Sequence, residues 1–248
     1  MINLSPKEIY DRLINTDKIL TIQGQIRFYL GDVNITVKQK DVVGNIIQEW
    51  LEGWLEYNNI AYACNPNTQM PPDFFLDPKN TTHRLLEVKA FNYNASPGFD
   101  IADFSSYQKE IIDKPYMLDT DYLIFGYTMG DDGMVSIKKL WLKKVWEICR
   151  TSERWAVNVQ YKNGAVHKIR PATWYSQSKA IKYKVFDCLE DFLSAIEETA
   201  YNNPATHNKA AAWGRRMEKS YKNFFGHTIS IPHWTDIQHK YINGTEQI

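Results

Sequence analysis

The stretch PDFFLDPKNTTHRLLEVK, residues 72–89, decides how the rest of the chain is read. It holds two strand-like apolar runs, PDFFL and RLLEVKAF, on either side of the polar turn DPKNTTH. Side chains alternate along a strand, so Glu87 and Lys89 share one face while Leu86 and Val88 point to the other, into apolar packing. Pairing the runs as a hairpin brings Asp73 near Glu87. Pro72 removes a ladder donor and suits a strand start that frees the carboxylate beside it. Hydrolysis of a phosphodiester needs a divalent cation that binds the phosphate, lowers the pKa of a water and stabilises the leaving oxygen. Two converging carboxylates supply such a hard-cation site, and Lys89 beside them suits orienting the water or stabilising the phosphorane. Asp73 and Glu87 are therefore the expected metal ligands, Mg2+ the expected cation, and Lys89 the catalytic lysine. The plain alternative is a surface hairpin with a solvated Glu87–Lys89 pair; the apolar runs on both sides favour the site.

Working outward, DVVGNIIQEWLEGWLEY places Val43, Ile46, Ile47, Trp50, Leu51, Trp54 and Leu55 at helical spacing, which predicts a helix with a core-facing stripe. Upstream, SPKEIYDRLI predicts a short helix capped by Ser5 with Pro6 at its first position. QIRFYL and VNITVKQ around Gly31-Asp32 predict a hairpin. Downstream, FDIADFSSYQKEII reads as a helix and YLIFGYTM with MVSIKKLWL as a strand pair. AVNVQYK and AVHKIRP around Asn163-Gly164 give the strongest hairpin signal in the chain. VFDCLEDFLSAIEETAY and NKAAAWGRRMEKSYKNFFG read as helices, the last ending at Gly226. Helices flanking a mixed β-sheet built partly from hairpins make an α/β or α+β fold.

The 248 residues suit one domain over 1–248, with a catalytic core at about 41–130, recognition elements at about 138–184 and C-terminal helices at 185–248. No apolar run is long enough for a membrane span, and the N-terminus lacks the pattern of a secretory signal, so a cytoplasmic protein is expected. Cys64, Cys149 and Cys188 have no CxxC spacing and are expected to be buried small hydrophobes. The histidines form no HxxxH or HExxH, which argues against an HNH-type or zinc site, and there is no GxGxxG, GxxxxGK[ST] or GxSxG.

Net charge is zero, from 29 basic and 29 acidic residues. The average hides an asymmetry, because Lys138–Lys184 carries 12 Lys or Arg against only Glu147 and Glu153, or +10. A basic block beside an acidic half suits a protein that grips a polyanion and holds metal elsewhere. Within the block, Asn158, Gln160, Thr173, Tyr175, Ser176 and Gln177 are types that contact bases or phosphates. Lys143 is the expected phosphate contact and Arg170, following a strand and preceding Pro171, the expected base reader. Trp141, Trp146 and Trp155 are expected in the core.

Pro72-Asp73 with Glu87-Val88-Lys89 matches the PD-(D/E)XK pattern, and the chain resembles type II restriction endonucleases of that superfamily. The resemblance implies a restriction-endonuclease-like core. It also implies an upstream helix bearing an acid four residues after a Gly; here Gly44 is followed at that place by Gln48, with Glu49 and Glu52 as fallback ligands. Asn67, Thr68 and Gln69, within Asn65–Gln69, are similar in placement to the DNA-contact loop of EcoRV-like enzymes. Taken whole, including KIRPATWYS, the sequence looks most like the NgoBV/NlaIV group, whose members cut the palindrome GGNNCC. This implies a homodimer on double-stranded DNA, since a two-fold pair meets both strands of a palindrome, and a cognate DNA methyltransferase that protects the host site. Other readings of the same residues are a DNA repair or junction-resolving nuclease, and a non-catalytic DNA-binding module.

Overall fold

The computed structural model describes residues 1–68, 70–176 and 183–242. In chain order its elements are α1 (Pro6–Asp11), β1 (Gln23–Gln25), β2 (Arg27–Leu30), β3 (Val33–Thr36), α2 (Val43–Tyr57), β4 (Ala63–Cys64), β5 (Phe74–Phe75), β6 (Leu85–Asn92), β7 (Ala102–Asp103), α3 (Phe104–Asp113), β8 (Asp121–Met129), β9 (Met134–Lys144), β10 (Val159–Lys162), β11 (Ala165–Ile169), α4 (Leu189–Asn202), α5 (Trp213–Phe225), α6 (Trp234–Ile237) and α7 (His239–Ile242). The described chain falls into two compact units.

The first unit, Met1–Pro66, Pro72–Phe99 and Asp121–Lys143, is built on a sheet of order β1-β9-β8-β6-β5-β4. It is mixed: β6 runs parallel to β8, with Glu87 opposite Tyr122 and Lys89 opposite Ile124, whereas β5 pairs antiparallel with both β4 and β6. Its core contains Val43, Ile47, Leu51 and Leu55 of α2, Phe74, Leu86 and Val88 of the hairpin, and Leu123 and Phe125 of β8. The helical stripe therefore lies where the spacing predicts, with two corrections: Ile46 is only half-buried and Trp50 is 40% exposed, and both line an apolar groove of about 200 Å³ with Ile22 and Ile26. Helix α1 starts on the expected Ser5 cap, which the structure extends to a capping box, Ser5 accepting from the Glu8 amide and the Glu8 carboxylate from Ser5. At the β8–β9 turn, Gly133 (φ +81°) leaves no room for a side chain: a Cβ would lie 2.5 Å from Thr36 Cγ2.

The second unit, Asn67–Pro71, Asp100–Thr120 and Lys144–Ile248, holds the three-stranded sheet β10-β11-β7 and helices α3, α4 and α5. Asn163 (φ +53°) and Gly164 (φ +78°) make the two-residue turn that the Asn-Gly pair predicts. Three expected helices start later than the apolar pattern suggests, among them α4, which begins at Leu189 rather than Val185. Ala102–Asp103 is a strand against β11, and Asp103 then caps α3 by accepting from the Ser106 amide. The segment from Asn208 forms α5 only from Trp213, after Ala212 turns through φ +54°. Of the cysteines, Cys149 is buried as expected, but Cys64 is exposed and Cys188 intermediate. Trp155 is buried; Trp141 is half-buried, stacked on Phe91 at 5.8 Å, and Trp146 is also half-buried.

Candidate active site

The hairpin that carries the site forms because β5 and β6 pair with Phe74 opposite Leu86 and Phe75 opposite Leu85, Phe74 and Leu86 entering the core. That register leaves Asp73 at the mouth of the pair, where Asp73 Oδ2 accepts from the Val88 amide at 2.8 Å. The other oxygen, Oδ1, accepts from Gln48 Nε2 of α2 at 3.0 Å. Helix α2 packs on β6, and its Gly44 would bring a Cβ within 3.9 Å of the Ala90 carbonyl. One turn onward, the same face presents Gln48 to Asp73. Glu87 is 4% exposed, its Oε1 held by Lys89 Nζ at 2.7 Å. Its Oε2 is buried with no hydrogen-bond partner.

Burial pushes the Glu87 carboxyl up to about 7, with the Asp73 charge adding to the rise and Lys89 opposing it. Burial also raises Asp73, against the Val88 amide, Lys89 and Gln48. Two desolvated carboxylates that hold their protons too tightly, one with an orphaned buried oxygen, are a donor set with missing positive charge. They fit a hard divalent cation, which takes oxygen ligands and would satisfy Glu87 Oε2. Among the described residues no group of three His, Cys, Asp or Glu is placed to hold a metal, so these two are the carboxylates here that could hold one.

Gln48, Asp73, Glu87 and Lys89 are thus brought together in the first unit. Glu49 is exposed. Glu52, one turn beyond Gln48, accepts from Tyr62 Oη and from Cys64 Sγ, each at 3.2 Å, and Tyr62 Oη also reaches Glu56 at 2.8 Å. This ring of polar contacts escaped the reading of the sequence, although the spacing 48, 52, 56 on one helix face signals it.

The residues expected on DNA stand differently. Asn67 and Thr68 are exposed, and the Asn67 carbonyl accepts from the Met70 amide. Gln69 and Gln177 lie outside the described residues. Lys143 is in β9 and half-buried, as are Thr173 and Tyr175 beyond β11. Arg170 does follow a strand, and its guanidinium pairs with Asp100. Asn158 directs its amide at the carbonyls of Arg170 and Pro171, at 3.3 and 3.4 Å, so it holds this loop rather than facing outward. Part of the +10 block is likewise met by acids of the chain itself: Lys144 by Asp119, Lys168 by Asp103 and Lys184 by Asp187.

A sequence model of the NgoBV restriction endonuclease family matches residues 3–241. The chain is 61% identical over 241 residues to the type II restriction enzyme NlaIV of Neisseria lactamica, covering 97% of this chain and 99% of that protein. It is 56% identical over 162 residues to the type II restriction enzyme NgoBV of Neisseria gonorrhoeae, covering 65% of this chain and 92% of that protein. The solved NlaIV restriction endonuclease is similar in structure, with a TM-score of 0.94 at 61% identity over 97% of this chain and 98% of that one. The α/β core is accordingly restriction-endonuclease-like. Enzymes of this type are generally metal-dependent, which agrees with the donor set at Asp73 and Glu87. The chain belongs to the NgoBV restriction endonuclease family.

Proposed function

We propose that this restriction endonuclease, working as one domain over 1–248, hydrolyses both strands of duplex DNA at a short palindrome, with GGNNCC as the sequence to test first, through Asp73, Glu87, Lys89 and Mg2+. The observation that carries the proposal is the buried, unpartnered Glu87 Oε2 next to Asp73 and the Lys89 ammonium. Asp73 and Glu87 would hold the cation, which supplies Lewis-acid stabilisation of the phosphate and a more acidic water. Lys89 Nζ, held on Glu87 Oε1, presents its remaining protons to the water or to a phosphate oxygen. Gln48 and the Val88 amide fix the two oxygens of Asp73, so that the carboxylate does not rotate as charge develops. Arg170, Thr173, Tyr175 and the Asn67–Thr68 loop supply base and phosphate contacts, with Lys143 on a phosphate. Two copies serve the two strands, a cognate DNA methyltransferase protects the host site, and the enzyme acts in the cytoplasm, where that DNA is. Among the described residues no helix is long and apolar enough to cross a membrane.

The test is digestion of plasmid DNA with Mg2+ or chelator, followed by sequencing of the ends. Cleavage confined to one palindrome and abolished by chelator is the expected result. Failure of Mg2+ to produce even nicks would leave a non-catalytic DNA-binding module, and preference for branched DNA would return the repair or junction-resolving reading.

A further inference from the structure

Strands β4 and β5 pair antiparallel over two residues, Ala63 opposite Phe75 and Cys64 opposite Phe74. Carried one step further, that register sets Asn65 opposite Asp73, and the Asn65 amide donates to the Asp73 carbonyl at 3.0 Å. Beyond Asp73 the ladder meets Pro72, which has no N–H to give. There the side chain of Asn65 takes over, its Nδ2 donating to the Pro72 carbonyl at 2.8 Å. Pro72 is buried and Asn65 half-buried, so this bond meets an acceptor that water reaches poorly. Asn65 opens the stretch Asn65–Gln69 that resembles a DNA-contact loop, yet its carboxamide is turned onto its own main chain.

The two oxygens that Asn65 holds belong to the two peptide links on either side of the Asp73 Cα. Each link is planar, so an anchored carbonyl limits the rotation of the whole plane. With both planes held, the direction in which the Asp73 side chain leaves the main chain is set, and Gln48 and the Val88 amide can engage its two oxygens. Asp73 needs that control because it stands at the end of a strand of two residues, where pairing opens most easily. We propose that Asn65 is a positioning residue for DNA cleavage, its carboxamide holding the Pro72–Asp73 link so that the Asp73 carboxylate stays where a cation is bound. The inference rests on the reading of Asp73 as a metal ligand. Asn65 acts through Asp73 and touches neither the cation nor the reacting phosphate. Every residue type except proline supplies the main-chain bond at 65, and only the side-chain bond requires asparagine, so the role can be removed without unpairing β4 from β5. Its loss costs rate and leaves affinity for DNA, the opposite of what a DNA contact at the same position gives.

The experiment compares the full-length wild type with Asn65→Leu, which keeps the approximate shape of asparagine without the donor, and with Asn65→His, whose Nδ1 lies as far along the side chain as Nδ2. The Val88 amide, which donates to Asp73 Oδ2, reports the seating of the carboxylate with neither metal nor DNA present. In Asn65→Leu, single-turnover cleavage of duplex DNA at saturating Mg2+ should slow about tenfold, and hydrogen exchange at the Val88 amide in chelator should quicken about tenfold. Duplex affinity measured in Ca2+ should stay within about twofold of the wild type, since no DNA contact is removed. Asn65→His should regain most of the rate and of the protection at Val88. If Asn65→Leu melts early, Asn65→Ala carries the same three measurements. Cleavage at the wild-type rate, slower cleavage with exchange at Val88 unchanged, or a loss of duplex affinity as large as the loss of rate overturns the proposal. Asp73→Asn separates the two readings: full activity there ends the assignment of Asp73 as a ligand, whereas an inactive Asp73→Asn beside a fully active Asn65→Leu ends this inference alone.

Discussion

The hairpins β5–β6 and β10–β11 are both antiparallel strand pairs, and they treat their polar groups in opposite ways. In the first, Glu87 is almost sealed and Asp73 has both oxygens engaged by its own chain. In the second, Gln160, Tyr161 and Lys162 are exposed, and the Arg154 guanidinium lies 4.1 Å over the open ring of Tyr161. Low dielectric strengthens the electrostatics that chemistry needs, whereas reading a sequence requires groups that DNA can reach. Substitutions in the first hairpin should therefore change rate, and substitutions beside the second should change discrimination.

The largest expected effect is on rate. Asp73→Ala and Glu87→Ala should each reduce single-turnover cleavage in Mg2+ by about 1000-fold or more, because in the proposed mechanism each removes one of the two carboxylates that would hold the cation. Ca2+ in place of Mg2+ should permit binding with little turnover. Full activity of Glu87→Ala would break the comparison at its first term.

Next in size is an effect of pH on the metal-free fold. The Glu87 carboxyl stands at about 7 in the folded chain against an ordinary 4.5, so the native state binds the proton more tightly than the unfolded state does. Stability from this group is then present below about pH 4.5 and is lost as pH rises to about 7, an effect on the order of 3 kcal/mol. Thermal melts in chelator should fall over that window, and Glu87→Gln should flatten the fall. An equal slope in both proteins would mean that Glu87 is not the buried acid responsible.

Beside the second hairpin, Arg170→Ala should reduce the preference for the cognate duplex over a scrambled one by about 1–3 kcal/mol per base read. Titration of both duplexes at two salt concentrations measures it; an unchanged ratio would move recognition to the Asn67–Thr68 loop. Back at the catalytic site, Gln48→Ala should slow cleavage about tenfold, well short of Asp73→Ala, since it frees one oxygen of a ligand without removing it. A greater loss at Glu49 or Glu52 would reassign the helix position. The smallest effect is Lys143→Ala, which should weaken both duplexes alike and flatten the salt slope by about one.

The sequence makes Asp73, Glu87 and Lys89 legible because strand alternation and a hairpin are local rules, and both hold here. Gln48 is different: its place depends on α2 lying on β6, a tertiary contact, and only the resemblance marks it. The Arg170–Asp100 pair spans 70 positions, so counting charge by segment treats as open a guanidinium that its own fold has already paired. Periodicity also marks Trp50 as core, since a helical stripe does not record how far the neighbouring strands extend to cover it.

The bond from the Val88 amide to Asp73 has a consequence for how this site tolerates change. The donor is main chain, so nearly every residue type at position 88 supplies it equally, and only proline removes it. A survey of substitutions at 88 would report packing against the core and leave the anchor of the Asp73 carboxylate unseen. Replacing the 87–88 peptide link with an ester, which deletes the N–H and keeps the valine, is the alteration that would expose it. A contact on which the proposed chemistry depends is in this way insulated from most point mutations at position 88.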